Sequence, residues 1–190
     1  MTRKIPALIA ILAAATLLQG CFPLAVTGMG AAALMASDRR TTGMYIEDET
    51  IEWKALARMR GDYPGIHVNA TSFNRRVLLT GEAPNEETKT KIEGSVRRLE
   101  NVREVTNELQ VAGASSFASR GNDALVTSNV KARMVNNGRF SPNHVKVVTE
   151  QGAVFLMGLV TPAEGDAAAE IARTTSGASR VVKVFEYVNP

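Results

Sequence analysis

The sequence contains little of what most enzymes and metal proteins depend on: one cysteine, two histidines and 5% aromatic residues in a chain of 190. A single cysteine cannot form an intramolecular disulfide, and a zinc site built only from cysteine and histidine is not expected. Removing the first 20 residues would take Arg3 and Lys4 and leave 20 basic against 19 acidic residues. Such a nearly neutral chain gives no electrostatic reason to expect nucleic-acid binding.

The N-terminus has the pattern of a secretory signal. Arg3 and Lys4 precede an apolar run over residues 7–18, which as a helix would span roughly 18 Å, short of the ~30 Å hydrocarbon core. Residues 17–21 read Leu-Leu-Gln-Gly-Cys and resemble the bacterial lipobox, in which the cysteine receives the lipid. We therefore predict a signal peptide over residues 1–20 and lipid attachment at Cys21. That resemblance, with Phe22 rather than Asp after the cysteine, implies the periplasmic face of the outer membrane.

Residues 22–44 are rich in Gly, Ala and Met and sustain no helical or strand period. We interpret residues 21–44 as the lipidated cysteine and its tether. The alternative, a transmembrane helix that continues to Met35, is disfavoured by Pro23, Gly28 and Gly30.

The rest of the chain is an internal repeat with an offset of 75–77 residues. Ile51, Ala55 and Met59 recur as Val126, Val130 and Met134, and His67-Val68 recurs as His144-Val145. The segment 77–81, which ends in Gly81, recurs as 154–158, which ends in Gly158. We therefore predict two copies of one module, over residues 45–112 and 113–190, which are expected to pack on each other.

Each module is predicted to be α+β with the order αββαβ. The predicted elements are a helix (47–60; 123–136), a strand (66–72; 143–149), a strand ending at Gly81 or Gly158, a helix from Asn85 or Pro162, and a strand (102–111; 180–188). This order gives a three-stranded mixed sheet with two helices on one face.

The repeated strand, glycine, helix and valine-rich closing strand resemble the BON domain, most specifically over residues 154–161. A lipobox followed by two such modules resembles the dual-BON outer-membrane lipoproteins. The resemblance implies a non-enzymatic protein whose second module binds anionic phospholipid, of the phosphatidylglycerol or cardiolipin type. It also implies a role in outer-membrane integrity and an association with the division site.

No catalytic centre is evident from the residues themselves. His67 and His144 occupy equivalent positions in the two copies, which favours a structural role for both, and no glycine-rich phosphate loop or metal-binding spacing occurs. We predict that the protein is not an enzyme and has neither a catalytic residue nor a cofactor or metal ion. An envelope hydrolase is the least favoured class of function.

The first helix of the second module carries the candidate lipid site. Asn122 or Asp123 is predicted to cap it. A helical period places Val126, Val130 and Met134 in a buried stripe and four residues on another face: Leu125, Ser128, Ala132 and Val135. The second module has eight basic and six acidic residues, against ten and twelve in the first, and the basic residues near this helix are Lys131, Arg133 and Arg139. These seven residues are the predicted phospholipid-binding set, which Phe140 is expected to extend.

Two alternatives remain open from the sequence. Leu125 and Val135 could instead pack against the first module, and the protein could be an adaptor that binds the outer-membrane assembly machinery without recognising lipid. Trp53, on the first helix of the first module, is expected to pack at the edge of the core or between the modules.

Overall fold

The computed structural model describes residues 38–189, which lie within one compact unit. The predicted signal peptide, Cys21 and the tether as far as residue 37 lie outside the described residues. Within residues 38–189, no helix is both long and apolar enough to cross a bilayer.

The described residues form the two predicted αββαβ modules. The first consists of α1 (Thr42–Asp62), β1 (Val68–Phe73), β2 (Arg76–Ala83), α2 (Glu86–Arg97), β3 (Glu104–Asn107) and the short β4 (Gln110–Val111). The second consists of α3 (Phe117–Val135), a 3-10 turn (Pro142–His144), β5 (Val145–Glu150), β6 (Ala153–Val160), α4 (Pro162–Arg173) and β7 (Arg180–Tyr187).

Both sheets are mixed, as predicted. In the first module β1 pairs antiparallel with β2, and β2 pairs parallel with β3 and β4. In the second, β5 pairs antiparallel with β6, and β6 pairs parallel with β7. The predicted closing strand of the first module is therefore interrupted between Asn107 and Gln110.

The expectation that the central strands end at Gly81 and Gly158 is wrong, because β2 continues to Ala83 and β6 to Val160. Each glycine instead allows the backbone just before the neighbouring strand to approach closely. A Cβ atom would lie 2.2 Å from the carbonyl oxygen of His67 at Gly81, and 2.2 Å from that of His144 at Gly158. Sterically, neither position has room for a side chain.

Both first helices begin earlier than predicted. Helix α1 begins at Thr42, inside the segment predicted as tether, with Thr41 as its N-cap. Helix α3 begins at Phe117, where Ser116 Oγ accepts a hydrogen bond from the backbone N–H of Ser119. Neither Asn122 nor Asp123 caps this helix, since both lie inside it.

A buried aspartate on each first helix holds the β-hairpin of its module. Asp48 accepts hydrogen bonds from the backbone N–H groups of Asn74 (2.8 Å) and Arg75 (2.7 Å). Asp123 likewise accepts from those of Gln151 (2.9 Å) and Gly152 (2.8 Å). All four turn residues have positive φ, as two-residue hairpins of the primed type require. The aspartates therefore fix a tight turn against a helix by charge-assisted hydrogen bonds.

Each module buries its helices against one face of its sheet. The core of the first module contains Ile51, Ala55 and Met59 from α1, and that of the second contains Val126, Val130 and Met134 from α3. The two stripes predicted from the repeat are therefore confirmed as core.

The opposite faces of the two sheets form a third apolar cluster that joins the modules. Its buried members are Phe73 and Leu78 from the first module and Ala153, Phe155, Met157, Leu159 and Val184 from the second. Polar contacts flank this seam: Lys146 Nζ lies 2.6 Å from Glu52 Oε1, and Asn74 Nδ2 donates to Glu186 Oε2 at 2.8 Å. The expected packing of the two copies is thus sheet against sheet.

The segment before α1 is attached to the second module. Arg39 Nη1 donates to the carbonyl oxygen of Leu159 at 2.8 Å and to Glu164 Oε2 at 2.6 Å, beside the capping box at the start of α4. Burial acts to raise the pKa of Glu164, but hydrogen bonds from Arg39 and from the backbone of Thr161 outweigh it and lower this pKa to about 2.

Candidate functional site

The outward face of α3 combines exposed apolar side chains with basic ones. Leu125 is 65% exposed and Val135 is 66% exposed, and Ser128 and Ala132 are also exposed. At about 100° per residue, this face lies opposite the buried stripe of the same helix. The alternative in which Leu125 and Val135 pack against the first module is therefore wrong.

Phe117 extends this face by two turns and was missed by the sequence analysis. Its side chain is 87% exposed, and the guanidinium carbon of Arg120 lies 5.1 Å from the centre of its ring. Helical geometry places Phe117, Gly121, Leu125 and Val135 within an arc of about 80°, along roughly 27 Å of helix. We call the surface formed by Phe117, Gly121, Leu125, Ser128, Ala132 and Val135 the α3 ridge.

The signal that could have revealed Phe117 is the N-cap. Ser115-Ser116 precedes the aromatic residue, and serine is a preferred N-cap. The prediction placed the start of the helix later because Asn122 and Asp123 also resemble caps. In the structure Asp123 binds the hairpin turn instead, and the helix begins nearly two turns earlier, at Phe117.

The three predicted basic residues are all exposed but differ in their bonding. Arg133 is held at the C-terminal end of α4, where its guanidinium donates to the carbonyl oxygen of Ile171 (2.8 Å) and to Thr175 Oγ1 (2.7 Å). Lys131 lies on one flank of the α3 ridge, and Arg139 follows the end of the helix. Arg133 thus contributes a fixed positive charge, while the flexible Lys131 can reach a partner.

Two predicted placements are wrong. Phe140 does not extend the exposed surface, since it is only 9% exposed and belongs to the core of the second module. Trp53 is not packed at the core edge or between the modules, because it is 70% exposed on α1. The preceding residue, Glu52, faces the seam and accepts hydrogen bonds from Ser72 N–H and Lys146 Nζ. Trp53 lies about 100° further round the helix and points to solvent.

A second group of titratable side chains lies at the seam between the modules. His67 Nδ1 is 2.9 Å from Glu82 Oε2 and 3.9 Å from Glu150 Oε1. Burial acts to raise the pKa of Glu82, but hydrogen bonds donated by Gln151 and His67 and by the backbone of Ser115 hold it below its ordinary value. Burial raises the pKa of Glu150, with His67 and Asn69 opposing the shift.

The equivalent histidine of the second module has different surroundings. His144 Nδ1 lies 3.4 Å from Glu164 Oε1, and Glu164 is also bound by Arg39. Both histidines directly precede the first strand of their module, at equivalent positions as the repeat predicts. The repeat did not predict that His67 would meet Glu150 from the other module.

Comparison with known proteins identifies the modules. The model of the BON domain matches residues 47–113 and 122–189. The chain is 43% identical to "Outer membrane lipoprotein DolP" of Haemophilus influenzae, over 95% of this chain and 96% of that protein. It is 32% identical to "21 kDa hemolysin" of Actinobacillus pleuropneumoniae, over 80% and 79% of the two chains. It is 25% identical to "Osmotically-inducible protein Y" of Escherichia coli K12, over 76% and 75%. The chain therefore belongs to the BON domain family, and within it to the outer-membrane lipoproteins that carry two such domains.

Proposed function

We propose that this lipoprotein is attached to the periplasmic face of the outer membrane through Cys21 and binds anionic phospholipid through the α3 ridge. The observation that carries the proposal is a helix with one face in the core and the opposite face exposing Phe117, Leu125 and Val135. Large apolar side chains on a polar surface favour insertion at the boundary between headgroups and acyl chains.

The charges around the ridge favour an anionic surface. Arg120 and Lys131 lie on one side of the ridge, and Arg133 lies on the other. Each basic residue close to an anionic bilayer contributes about 1 kcal/mol, and this contribution decreases as salt screens it. Phosphatidylglycerol and cardiolipin are therefore the expected partners, and binding should weaken with rising salt.

Vesicle co-sedimentation tests this assignment. The protein starting at Ser37 is used, since residues 37–190 form one compact unit and the lipid anchor would bind vesicles by itself. We expect sedimentation with phosphatidylglycerol vesicles, little with phosphatidylcholine vesicles, and a loss of binding in Leu125→Glu. Thr50→Glu is the matched control, because it adds the same charge at the equivalent position of α1.

Equal binding of Leu125→Glu and the unchanged protein would refute the helix assignment. Equal binding to both kinds of vesicle would refute the preference for anionic lipid. A thermal melt of each variant accompanies the assay, because an exposed substitution at position 125 should leave the core intact.

We extend the proposal to the envelope. A protein held on the outer membrane by Cys21 and α3 would support outer-membrane integrity and collect where anionic lipid concentrates, such as the division site. Leu125→Glu should therefore fail to restore detergent resistance in cells that lack the protein, and a fluorescent fusion should lose enrichment at the septum. Full complementation by Leu125→Glu would show that the envelope role does not need lipid binding by α3, and would refute this extension.

One observation favours a second function, that of a protein adaptor. Trp53 and Ile46 are 70% and 60% exposed on α1 and lie seven residues apart, on the same side of the helix. A component of the outer-membrane assembly machinery could dock there without involving α3. A photo-crosslinker at position 53 should then capture such a component in cells, whereas one at the exposed Arg58 should not; equal capture at both positions would refute a specific surface.

A further inference from the structure

The seam between the two BON domains gathers three metal-binding side chains from distant parts of the chain. His67 precedes β1, Glu82 belongs to β2, and Glu150 ends β5 of the other domain. One nitrogen and two carboxylate oxygens of these residues all lie within 4.8 Å of one another. Among the described residues, this is the one such group of three.

We propose that His67, Glu82 and Glu150 form a binding site for a divalent transition-metal ion of the zinc type, which links the two domains. Zinc binds imidazole nitrogen at about 2.0–2.1 Å and carboxylate oxygen at about 2.0–2.2 Å, with tetrahedral geometry. Ligand atoms on such a tetrahedron are about 3.4 Å apart. The separations of 2.9 Å and 3.9 Å from His67 Nδ1 to the two carboxylates bracket this value.

The charge of the cluster also favours a cation. The side chains of Glu82 and Glu150 are 1% and 7% exposed, and the two carboxylates share a single imidazole. Two carboxylates buried beside one imidazole repel each other whenever both are ionised. A divalent ion would neutralise both carboxylates and bind a neutral imidazole.

An independent observation points to a missing partner at the same place. The hydroxyl of Thr80 is buried and has no hydrogen-bond partner, although buried hydroxyls are normally bonded. Thr80 lies on the same face of β2 as Glu82 and is paired across the strands with Asn69. The Asn69 amide in turn lies 3.2 Å from Glu150 Oε2 and 3.4 Å from His67 Nε2. A water molecule completing the ion's coordination would give this hydroxyl a partner.

The site is accessible to an ion from solution. His67 remains 17% exposed, and a polar cavity of about 250 Å³ borders Glu150 and Gln151. None of the three ligands belongs to α3, although Ser115, just before this helix, contacts His67 and Glu82. The exposed face proposed to bind lipid uses other residues. Either proposal can fail without the other.

Metal binding should stabilise the domain pair, because its ligands come from both halves. At a hundredfold excess of Zn²⁺ over its dissociation constant, we expect the melting temperature to rise by about 5–10 °C.

The experiment uses the full mature chain in a non-ionic detergent, freed of metal by EDTA and desalting. Calorimetry with ZnCl₂ should show one ion per chain, and Co²⁺ should give the visible absorption of a tetrahedral complex. Mg²⁺, which prefers six oxygen ligands, should give no comparable heat. Glu150→Gln should weaken Zn²⁺ binding at least tenfold and His67→Gln should abolish it. His144→Gln, at the equivalent position of the second domain, should bind as the unchanged protein does.

Absence of one-to-one binding, or binding that survives both His67→Gln and Glu150→Gln, would overturn the proposal. Nuclear magnetic resonance of the unchanged protein tests the site even if a variant fails to fold. Zn²⁺ should shift the imidazole nitrogens of His67 and leave those of His144 in place. The reverse pattern would also overturn the site.

Discussion

Truncating Phe117 to alanine should weaken binding to phosphatidylglycerol vesicles about fivefold and leave the fold intact. Complete burial of a phenylalanine side chain contributes about 1.5–3 kcal/mol, and 87% of this residue is still exposed to solvent. If about half of the ring enters the membrane interface, the loss is about 1 kcal/mol, which is roughly a fivefold change in affinity.

The assay is a vesicle titration read by sedimentation, at fixed low salt. Phe117→Trp should bind at least as well as the unchanged protein, because tryptophan favours the membrane interface. Trp53→Ala, which removes an aromatic side chain that is 70% exposed on α1, is the control and should bind normally. The reasoning is refuted if Phe117→Ala binds within the error of the unchanged protein, or if Trp53→Ala is the variant that loses binding.

Three further predictions concern stability. Asp123→Ala should lower the free energy of unfolding by about 2–3 kcal/mol in urea titration, since two turn amides lose a charged acceptor. An unchanged free energy of unfolding would show that the turn is stable without the aspartate. Gly158→Ala should cost about 3 kcal/mol because its Cβ would meet a carbonyl oxygen at 2.2 Å, whereas Gly121→Ala, with nothing within 4 Å, should gain up to about 1 kcal/mol. The pKa of Glu164 in the folded protein is depressed to about 2. Its carboxylate therefore stabilises the folded state fully above its unfolded-state pKa of about 4.3, and this stabilisation is lost as pH falls toward 2. The unchanged protein should therefore lose its advantage in free energy of unfolding over Arg39→Ala as acid denaturation is followed from about pH 4.5 to 2. A constant difference between the two proteins over that range would contradict the prediction.

The sequence was sufficient to predict the modules because their signals are local and duplicated. The stripe of Val126, Val130 and Met134 follows a helical period, and Gly152 in the turn between β5 and β6 suits positive φ. The same period places Leu125 off the buried stripe, while its exposure is known only from the structure.

The features that were mispredicted depend on contacts between distant parts of the chain. Asp123 resembles a helix cap until its hairpin partner is known, and this moved the predicted start of α3 past Phe117. Trp53 is predicted to pack because it lies between Ile51 and Ala55 in the sequence, whereas the structure leaves it 70% exposed. The approach of Glu150 to His67 requires the two sheets to meet, which no local pattern encodes.

The apolar face that each sheet presents to the other has a consequence for a module taken alone. A lone BON domain of this kind would leave one whole side of its sheet uncovered, including Phe155 and Met157 in the case of the second. Each half of the chain therefore covers apolar surface of the other half, and a module made alone should be less soluble than the pair. Joining the two copies in one polypeptide keeps both sheets covered, so the outward faces of α1 and α3 can carry different side chains.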